Sequence, residues 1–145
     1  MNRAIREHLK RVLPEICEHG VTMSLAQAQA ALDSAVHIET AEVDGVVRAH
    51  AELRRSHISP YRWTVSCAVE REYQGRGLGR LVLSRALDHA DASGAEYVDG
   101  VAWADNHRVL ALDMSLGFRV VGTVIDAYRR GGRSYDQVLL VRGGT

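Results

Sequence analysis

The sequence predicts an α/β protein with a mixed, mostly antiparallel central sheet flanked by helices. Two observations carry this prediction. Strand-like runs follow one another in the middle of the chain, and helix-like runs with one apolar side stand before and between the strands. At 145 residues the chain suits one domain over residues 1–145. A chain of this length buries about two thirds of its unfolded surface.

Two helices are expected before the first strand. Apolar residues at helical spacing mark one face of the first helix, which Pro14 should end, kink or restart. The second helix should run over residues 25–33, with Ser24 as its N-cap. Acidic side chains interleave with the basic ones of the first helix, and this mixture indicates a solvated face and not a membrane-binding one.

Strand-like runs follow at residues 36–43, 46–53, 62–69, 97–104, 119–125 and 135–141. The first two are joined by Asp44 and Gly45, a pair typical of a tight hairpin. The third alternates apolar residues with polar or small ones, as a half-buried strand does. The last two should form a hairpin around residues 130–133. Between the third and fourth runs, residues 80–92 show the apolar stripe of a helix that covers a sheet.

Composition limits the partners that this chain is expected to have. Eighteen basic residues balance eighteen acidic ones, so no global field attracts nucleic acid or an anionic membrane. Two cysteines cannot form a disulfide framework, and the N-terminal stretch is charged where a signal peptide needs an apolar run. The His and Cys residues show no metal-ligand spacing. We therefore expect a cytoplasmic protein with no membrane partner, no nucleic-acid partner and no metal.

The most informative segment is residues 74–79, which read Gln-Gly-Arg-Gly-Leu-Gly and lie between the third strand-like run and the following helix. Its three glycines let the backbone approach a ligand with its N–H groups uncovered. The helix that begins there adds unpaired amides and the positive end of its dipole. Such a segment is an anion cradle, most naturally for phosphate.

The spacing of the loop narrows the kind of phosphate site. A dinucleotide fingerprint needs glycine at its first, third and sixth positions, but the sixth position counted from Gly75 is Arg80. A Walker loop needs Gly-Lys followed by Ser or Thr, and the only lysine in the chain is Lys10. Neither of these two common motifs fits the segment.

The loop resembles the Gln/Arg-x-x-Gly-x-Gly/Ala pyrophosphate motif of the GCN5-related N-acetyltransferase (GNAT) superfamily at Gln74, Gly77 and Gly79. Residues 106–118 resemble the family's second signature, in which Asn opens a helix lined by small and apolar residues and Gly-Phe follows it. The two motifs stand in the family's order, with one strand-like run between them. The resemblance extends in outline over about three quarters of the chain, from residue 36 to residue 141.

The resemblance also shows one departure at the start of the fold. Relatives usually begin with a strand before the first helix, and the sequence shows no strand-like run there. We therefore expect the usual first strand to be absent, replaced or supplied by a partner.

The resemblance implies that acetyl-CoA, or another acyl-CoA, is the donor substrate and an amine is the acceptor. It places the pyrophosphate of the donor on the main-chain amides of the loop. The loop residues concerned are Gln74, Gly75, Arg76, Gly77, Leu78, Gly79 and Arg80. The two arginines could add charge-assisted contacts, with a merely solvated side chain as the alternative for Arg80.

Three further residues match family positions that contact the CoA arm. Ala68 and Val69 match the strand end whose backbone hydrogen-bonds the pantetheine and whose amide polarises the thioester carbonyl. Asn106 matches the Asn that contacts the arm, although an Asn at this place also serves well as a helix N-cap. One side chain could fill both roles.

The residue at the family's usual proton donor differs in this chain. Relatives often have Tyr seven residues after the Asn, where this sequence has Asp113. An aspartate could donate a proton there only if burial raised its pKa, and pairing with an arginine is the alternative. Tyr128, Tyr135 or water could take its place.

The general base is sought on one face of the second central strand. The polar residues that share this face are Arg48, His50, Glu52 and Arg54. We choose Glu52 as the base, with ordinary polar alternation on a half-exposed strand as the competing interpretation. Cys67 lies in an apolar alternating strand and receives no catalytic role.

These residues together predict an N-acetyltransferase that transfers an acetyl group directly to a primary amine of a small molecule or peptide within a ternary complex. The alternative is a catalytically weak acyl-CoA sensor or a subunit of a complex, which Asp113 in place of Tyr favours. A third hypothesis, a transferase acting on charged tRNA through Arg129, Arg130 and Arg133, is disfavoured by the neutral net charge. A homodimer is common among relatives and is the expected form if the chain assembles.

Overall fold

The structure is a computed structural model that describes residues 2–17 and 23–144. The described helices are α1 (Arg3–Ile16), α2 (Leu25–Asp33), α3 (Leu78–Ala92) and α4 (His107–Ser115). The described strands are β1 (His37–Val43), β2 (Val46–Arg55), β3 (Arg62–Val69), β4 (Tyr97–Trp103), β5 (Arg119–Arg130) and β6 (Arg133–Gly143). A short 3₁₀ turn (Arg71–Tyr73) follows β3.

The strands form one sheet in the order β1-β2-β3-β4-β6-β5. Every neighbouring pair is antiparallel except β3 and β4, which run parallel. The predicted α/β fold with a mixed, mostly antiparallel sheet is therefore confirmed. In the part of the chain that the structure describes, no strand precedes α1. Strand β1 forms one edge of the sheet and β5 forms the other.

The parallel pair at the centre of the sheet is short. β3 and β4 are in register only from Arg62 opposite Tyr97 to Thr64 opposite Asp99. The guanidinium of Arg62 holds the two strands together there, because its Nε and Nη2 donate to the Asp99 carboxylate at 2.9 and 2.6 Å. Beyond this point the strands are no longer paired, which leaves a gap between residues 65–69 and the second half of β4.

Local sequence explains where several elements begin and turn. Asp44 and Gly45 have φ angles of 52° and 79°, the positive values that a type I′ hairpin turn requires at both central positions. At α2 the Ser24 hydroxyl accepts from the Gln27 N–H at 3.1 Å, while the Gln27 side chain accepts from the Ser24 N–H at 2.8 Å. This reciprocal pair is a capping box, and it confirms the predicted N-cap.

Two predicted boundaries differ from the structure. Pro14 does not end α1, which continues to Ile16, because a proline in the last turn removes only one hydrogen bond close to the helix end. The last hairpin is longer than its apolar runs suggested, since β5 continues to Arg130 and β6 starts at Arg133. Its turn side chains are polar and exposed, so hydrophobic alternation does not mark these strand ends.

The sheet is covered on both faces near its centre. On one face α3 and α4 pack against a core that includes Ala51, Leu53 and Leu140. On the other face α1 and α2 form a smaller cluster that includes Leu9 and Leu32. Successive strand residues point to opposite faces. The alanines of β2 therefore face α3, whereas the polar residues between them face α1.

Candidate functional site

The glycine loop lies between β3 and α3 in an open conformation. Gly75 and Gly77 have φ angles of 78° and 83°, a left-handed region that favours glycine. A Cβ atom added to either residue would meet no other atom within 4 Å. Gly77 serves as the N-cap of α3 without any side-chain cap. The backbone of Gly75 and Gly77 is therefore uncovered on the side where a Cβ atom would stand in other residues.

The amides of this loop have no acceptors within the described chain. The first helical hydrogen bond runs from the Leu81 N–H to the Gly77 carbonyl at 3.0 Å. Among the described residues, no backbone or side-chain acceptor is bonded to the N–H groups of residues 75–80. Six consecutive free amides at the positive end of a helix are the arrangement with which proteins commonly bind anions.

Gln74 is held by three different elements. Its Nε2 donates to the Val69 carbonyl at 3.1 Å and to Glu15 Oε2 of α1 at 3.2 Å. Its Oε1 accepts from Arg108 Nη1 of α4 at 3.1 Å. The side chain of the predicted motif glutamine therefore fixes the loop to its surroundings.

The two arginines of the loop are exposed and carry no ion pair within the described chain. The Arg76 guanidinium stacks 4.9 Å from the centre of the Tyr73 ring. Arg80 Nη2 donates to the Ser115 hydroxyl at the end of α4, at 2.8 Å. Both cationic groups therefore stand beside the free amides without a neutralising carboxylate.

The end of β3 presents one amide to the gap in the sheet. The Glu70 N–H bonds to the Arg48 carbonyl of β2 at 3.0 Å. Hydrogen-bond direction alternates along an antiparallel pair, so the N–H of Val69 points away from β2 and into the gap. Ala68 lies opposite His50, and its side chain packs on the α1 side of the sheet.

We refer to the gap between β3 and β4, together with the adjoining glycine loop, as the groove. Gly79 lies between β3 and α4, since an added Cβ would stand 3.5 Å from the Val69 side chain and 3.6 Å from that of Leu112. The Cys67 Sγ lies 3.9 Å from the Gly79 carbonyl oxygen. Burial raises the pKa of the Cys67 thiol to about 12, and the charge of the nearby Asp113 adds to this rise. The Cys67 residue as a whole is exposed, but its thiol stays protonated and is therefore a poor nucleophile.

Asp113 is a buried carboxyl group without a partner. It is 9% exposed, and no described residue donates a hydrogen bond to its side chain. Burial raises its pKa to about 6. The pairing with an arginine that the sequence left open is not found among the described residues. The carboxyl group is therefore able to hold a proton near neutral pH.

Asn106 is the N-cap of α4. Its Oδ1 accepts from the Val109 N–H at 3.3 Å, which is the capping role that the sequence allowed. The side-chain amide of Asn106 has no acceptor within the described residues. Its donor group is therefore left for a ligand, and both expected roles are compatible with the geometry.

The polar face of β2 holds the predicted base in an ion pair. Glu52 Oε1 accepts from Arg54 Nη1 at 2.9 Å, and Glu52 lies opposite Ser66 of β3. Its side chain is 12% exposed. Glu52 thus lies on the α1 side of the sheet, beside the strand that carries Val69, whereas Asp113 belongs to α4 on the opposite face.

A buried polar network that the sequence analysis missed lies next to these residues. Glu70 is 5% exposed and follows β3 directly. Its Oε2 bonds to His8 Nδ1 at 2.7 Å, and its Oε1 accepts from Arg11 Nε and from Arg48 Nη1, both at 3.0 Å. Burial would raise the pKa of Glu70, but these hydrogen bonds outweigh burial and hold it below its usual range.

Two histidines extend this network into the sheet. His8 Nε2 and His50 Nδ1 are 2.8 Å apart, and the two residues are 0% and 3% exposed. Burial lowers the pKa of both, that of His50 to about 3. A signal for this network exists in the sequence, since His8 stands on the apolar face of the first helix between Ile5 and Val12.

Two open surface pockets of the described chain lie apart from the groove. One of about 390 Å³ separates α1 from the β1–β2 hairpin and is lined in part by Arg3, Glu7 and Val46. Another of about 200 Å³ lies at the start of β6 beside Asp105 and Tyr135. No three His, Cys, Asp or Glu side chains of the described residues are arranged to hold a metal ion. The described helices are too short or too polar to cross a membrane.

The fold and the groove define a class of α/β proteins in which an anion-binding loop stands beside a split between two parallel strands. The chain belongs to the acetyltransferase (GNAT) family, which it matches over residues 3–118. This match confirms the family resemblance and the fold that it implies.

Two curated relatives are N-acyltransferases. The chain is 35% identical over 98 residues to the N-alpha-acetyltransferase RimI of Mycobacterium tuberculosis, covering 66% of this chain and 60% of RimI. It is 35% identical over 99 residues to the L-amino acid N-acyltransferase MnaT of Escherichia coli, covering 66% of this chain and 57% of MnaT. The chain thus spans less than two thirds of the length of these relatives. Their activities support the predicted class, an acyl-CoA-dependent N-acyltransferase.

Solved structures show the same fold. The ribosomal-protein-alanine N-acetyltransferase of Brucella melitensis superposes with a TM-score of 0.83 at 20% identity, over 98% of this chain and 96% of that one. The protein yncA of Salmonella typhimurium, solved with its cofactor acetyl-CoA, superposes with a TM-score of 0.69 at 28% identity, over 82% of this chain and 70% of that one. The first likeness concerns the fold alone.

Proposed function

We propose that this protein is an N-acetyltransferase that transfers the acetyl group of acetyl-CoA directly to a primary amine within a ternary complex. The observation that carries the proposal is the run of free amides at residues 75–80, which leads by a groove to the outward N–H of Val69. A ligand with a diphosphate at one end and a polarisable carbonyl at the other matches both places.

The loop would bind the pyrophosphate of the donor mainly through its main chain. The amides of residues 75–80, which include those of Leu78 and Gly79, would supply these bonds, because no described residue accepts from them. Arg76 and Arg80 would add charge-assisted contacts, each contributing about 1.5 to 3 kcal/mol where water is excluded. Gln74 would act by holding the loop, since its own polar atoms are already bonded to protein groups.

The gap between β3 and β4 would hold the reacting end of the donor. The backbone of Ala68 and Val69 would bond the pantetheine arm, with the Asn106 side chain as a further contact. The N–H of Val69 would then stabilise the negative charge that develops on the thioester oxygen during attack by the amine. This amide needs no reorganisation, because the β2–β3 ladder already fixes its direction.

We propose Asp113 as the group that protonates the departing thiolate. Asp113 lies near Cys67 of β3, is buried and has no partner within the described chain, and burial raises its pKa to about 6, so that it carries a proton in slightly acidic solution. The amine's proton would pass to Glu52, directly or through water, on the other side of β3. The contact with Arg54 holds the Glu52 carboxylate in place beside β3.

The acceptor class is proposed from the relatives together with the site. RimI and MnaT are described as acting on an alpha-amine and on L-amino acids. Both kinds of acceptor carry a primary amine on the carbon next to a carbonyl group. We therefore propose that the acceptor is an α-amino group, either of a free amino acid or of a peptide terminus. A cytoplasmic location and a homodimer stay predictions of the sequence.

The alternative is a protein that binds acyl-CoA as a sensor or as a subunit of a complex. It is supported by the ion pair on Glu52 and by the replacement of Tyr at position 113. Both hypotheses require the loop to bind CoA. They differ in whether thiol is released when an amine is supplied.

The test combines a binding and a turnover measurement. CoA is titrated calorimetrically, and release of free thiol from acetyl-CoA is then followed with L-amino acids, a peptide with an N-terminal alanine, a polyamine and N-α-acetyl-lysine. We expect CoA binding, with faster thiol release in the presence of an α-amine than with the polyamine or the lysine derivative. Binding without release from any of these amines would support the sensor, and no binding would remove both hypotheses.

A further inference from the structure

Glu15 is an acidic residue in two unfavourable places. It lies in the last turn of α1, where the helix dipole favours basic residues over acidic ones. It also bonds to Gln74, so its negative charge lies next to the loop that is proposed to bind pyrophosphate. A carboxylate at this position stabilises neither the helix end nor a bound anion. Glu15 must therefore contribute in another way.

The contacts of Glu15 are directed at the loop and at the turn that leads into it. Its Oε2 accepts from Gln74 Nε2 at 3.2 Å, and its Oε1 accepts from Arg71 Nε at 2.6 Å. The Glu15 side chain is only 11% exposed although its partner Arg71 is 69% exposed. The carboxylate is therefore enclosed between α1 and residues 71–74, and Arg71 offsets its charge.

Gln74 transmits this contact to the anion site. Its remaining polar contacts run to the Val69 carbonyl and to Arg108 of α4. Without Glu15 the amide would keep its hold on β3 and α4 but would lose the one on α1. The main chain of Gly75 follows directly, with a φ angle of 78°.

We infer that Glu15 is a positioning residue for the CoA site: it orients the Gln74 side chain so that the free amides of the loop converge on the pyrophosphate. Glu15 acts through Gln74 and does not touch the ligand. The inference rests on the proposed function, since it concerns the same donor site.

The sign of the effect on CoA affinity separates positioning from charge. If Glu15 acted only through its charge, its removal would strengthen binding of the anionic ligand. If it positions the loop, Glu15→Ala weakens binding, by about tenfold in Kd for the loss of one hydrogen bond to a charged group. The kcat at saturating acetyl-CoA stays close to the native value, because the Val69 amide and Asp113 are untouched.

Glu7→Ala is the matched control. Glu7 lies on the same helix and pairs with Lys10 at 3.2 Å, but it has no contact with the loop among the described residues. CoA titrations should give the native Kd for Glu7→Ala and a raised Kd for Glu15→Ala. The double variant Glu15→Ala with Gln74→Ala should bind no worse than Gln74→Ala alone, because the two residues act through one contact.

The outcomes also keep this inference separate from the proposed function. Native protein that binds CoA, together with unchanged or tighter binding by Glu15→Ala, would overturn the positioning role alone. Additive losses in the double variant would overturn it as well, since Glu15 would then act independently of Gln74. Native protein that does not bind CoA would instead overturn the proposed function.

Discussion

Glu70 and Asp113 are both buried carboxyl groups, but the protein surrounds them in opposite ways. Glu70 receives hydrogen bonds from His8, Arg11 and Arg48, and its pKa lies below the usual range. Asp113 receives none within the described chain, and burial raises its pKa to about 6. Their exposed fractions are similar, 5% and 9%, so burial alone does not explain the difference.

The difference separates a structural carboxylate from one that is available for chemistry. A buried carboxylate with several donors is ionised and fixed, and it joins α1 to the end of β3. A buried carboxyl group without donors is kept neutral over a wider pH range and is free to exchange a proton. Titratable pairs whose pKa values are moved apart by their surroundings often mark a site, and here the second member lies in the proposed groove.

The largest expected effect concerns the Val69 amide at the edge of the gap between β3 and β4. Val69→Pro removes the N–H that points into the gap but leaves the β2 ladder intact, because that N–H is not part of it. We expect kcat for thiol release to fall about 10²- to 10³-fold, the usual cost of one lost oxyanion donor. Val69→Ala keeps the amide and should retain most of the activity. Native turnover by the proline variant would contradict the proposed role of this amide.

Loss of the ionised Glu70 carboxylate should lower the stability of the protein, by a free energy similar to that of the lost Val69 amide. Glu70→Gln leaves Arg11 and Arg48 without their carboxylate, and we expect the free energy of unfolding to fall by about 3 kcal/mol. Urea denaturation measures it. Glu39→Gln is the control, because this carboxylate pairs with His37 near the surface and should contribute less than about 1 kcal/mol. Equal losses in the two variants would show that Glu70 has no special structural role.

For Asp113, the comparison predicts a change in the pH dependence of thiol release. At saturating amine, thiol release by the native protein should decline as the pH rises above about 6, where Asp113 loses its proton. Asp113→Asn should lower kcat about a hundredfold at pH 6 and should abolish this decline, since it has no proton to give. Calorimetry should show unchanged CoA binding. A variant with the native profile would remove Asp113 from the mechanism.

The smallest effect concerns the two buried histidines. Their pKa values are lowered by burial, with Arg11, Arg48 and Arg54 opposing their charge further. At His50 the unfolded chain therefore binds a proton below the ordinary pKa of about 6.5, whereas the folded chain does so only near pH 3. The contribution of His50 to stability should be complete above pH 6.5 and should fall by up to about 1.4 kcal/mol per pH unit between pH 6.5 and pH 5.

The control for this pH dependence is an exposed histidine. His50→Gln should reduce the slope of unfolding free energy against pH, whereas His57→Gln, in the exposed loop after β2, should keep it. The slope is compared rather than the absolute stability, because the loss of His50 also removes a hydrogen bond to His8. A native slope in His50→Gln would show that this histidine is not buried in its neutral form.

The sequence by itself was sufficient for the fold class, the hairpin at Asp44 and Gly45, the capped α2 and the family. These features depend on local rules: hydrophobic periodicity, glycine at positive φ and side chains that cap helix ends. The glycine loop belongs with them, because its open backbone follows from residues that are adjacent in the chain. The extent of β5 and β6 was beyond such rules, since backbone pairing continues there without an apolar pattern.

Tertiary structure alone decided the state of the buried polar residues. His8 bonds to His50, which is 42 positions away along the chain, and to Glu70, which is 62 positions away. No spacing rule in the sequence connects these residues. The same holds for Asp113. The sequence motif identified this residue, but its pKa depends on the absence of hydrogen-bond donors around it, which only the packing determines. Charges respond to all neighbours within several ångströms in a medium of low polarity, and only the folded chain determines those neighbours.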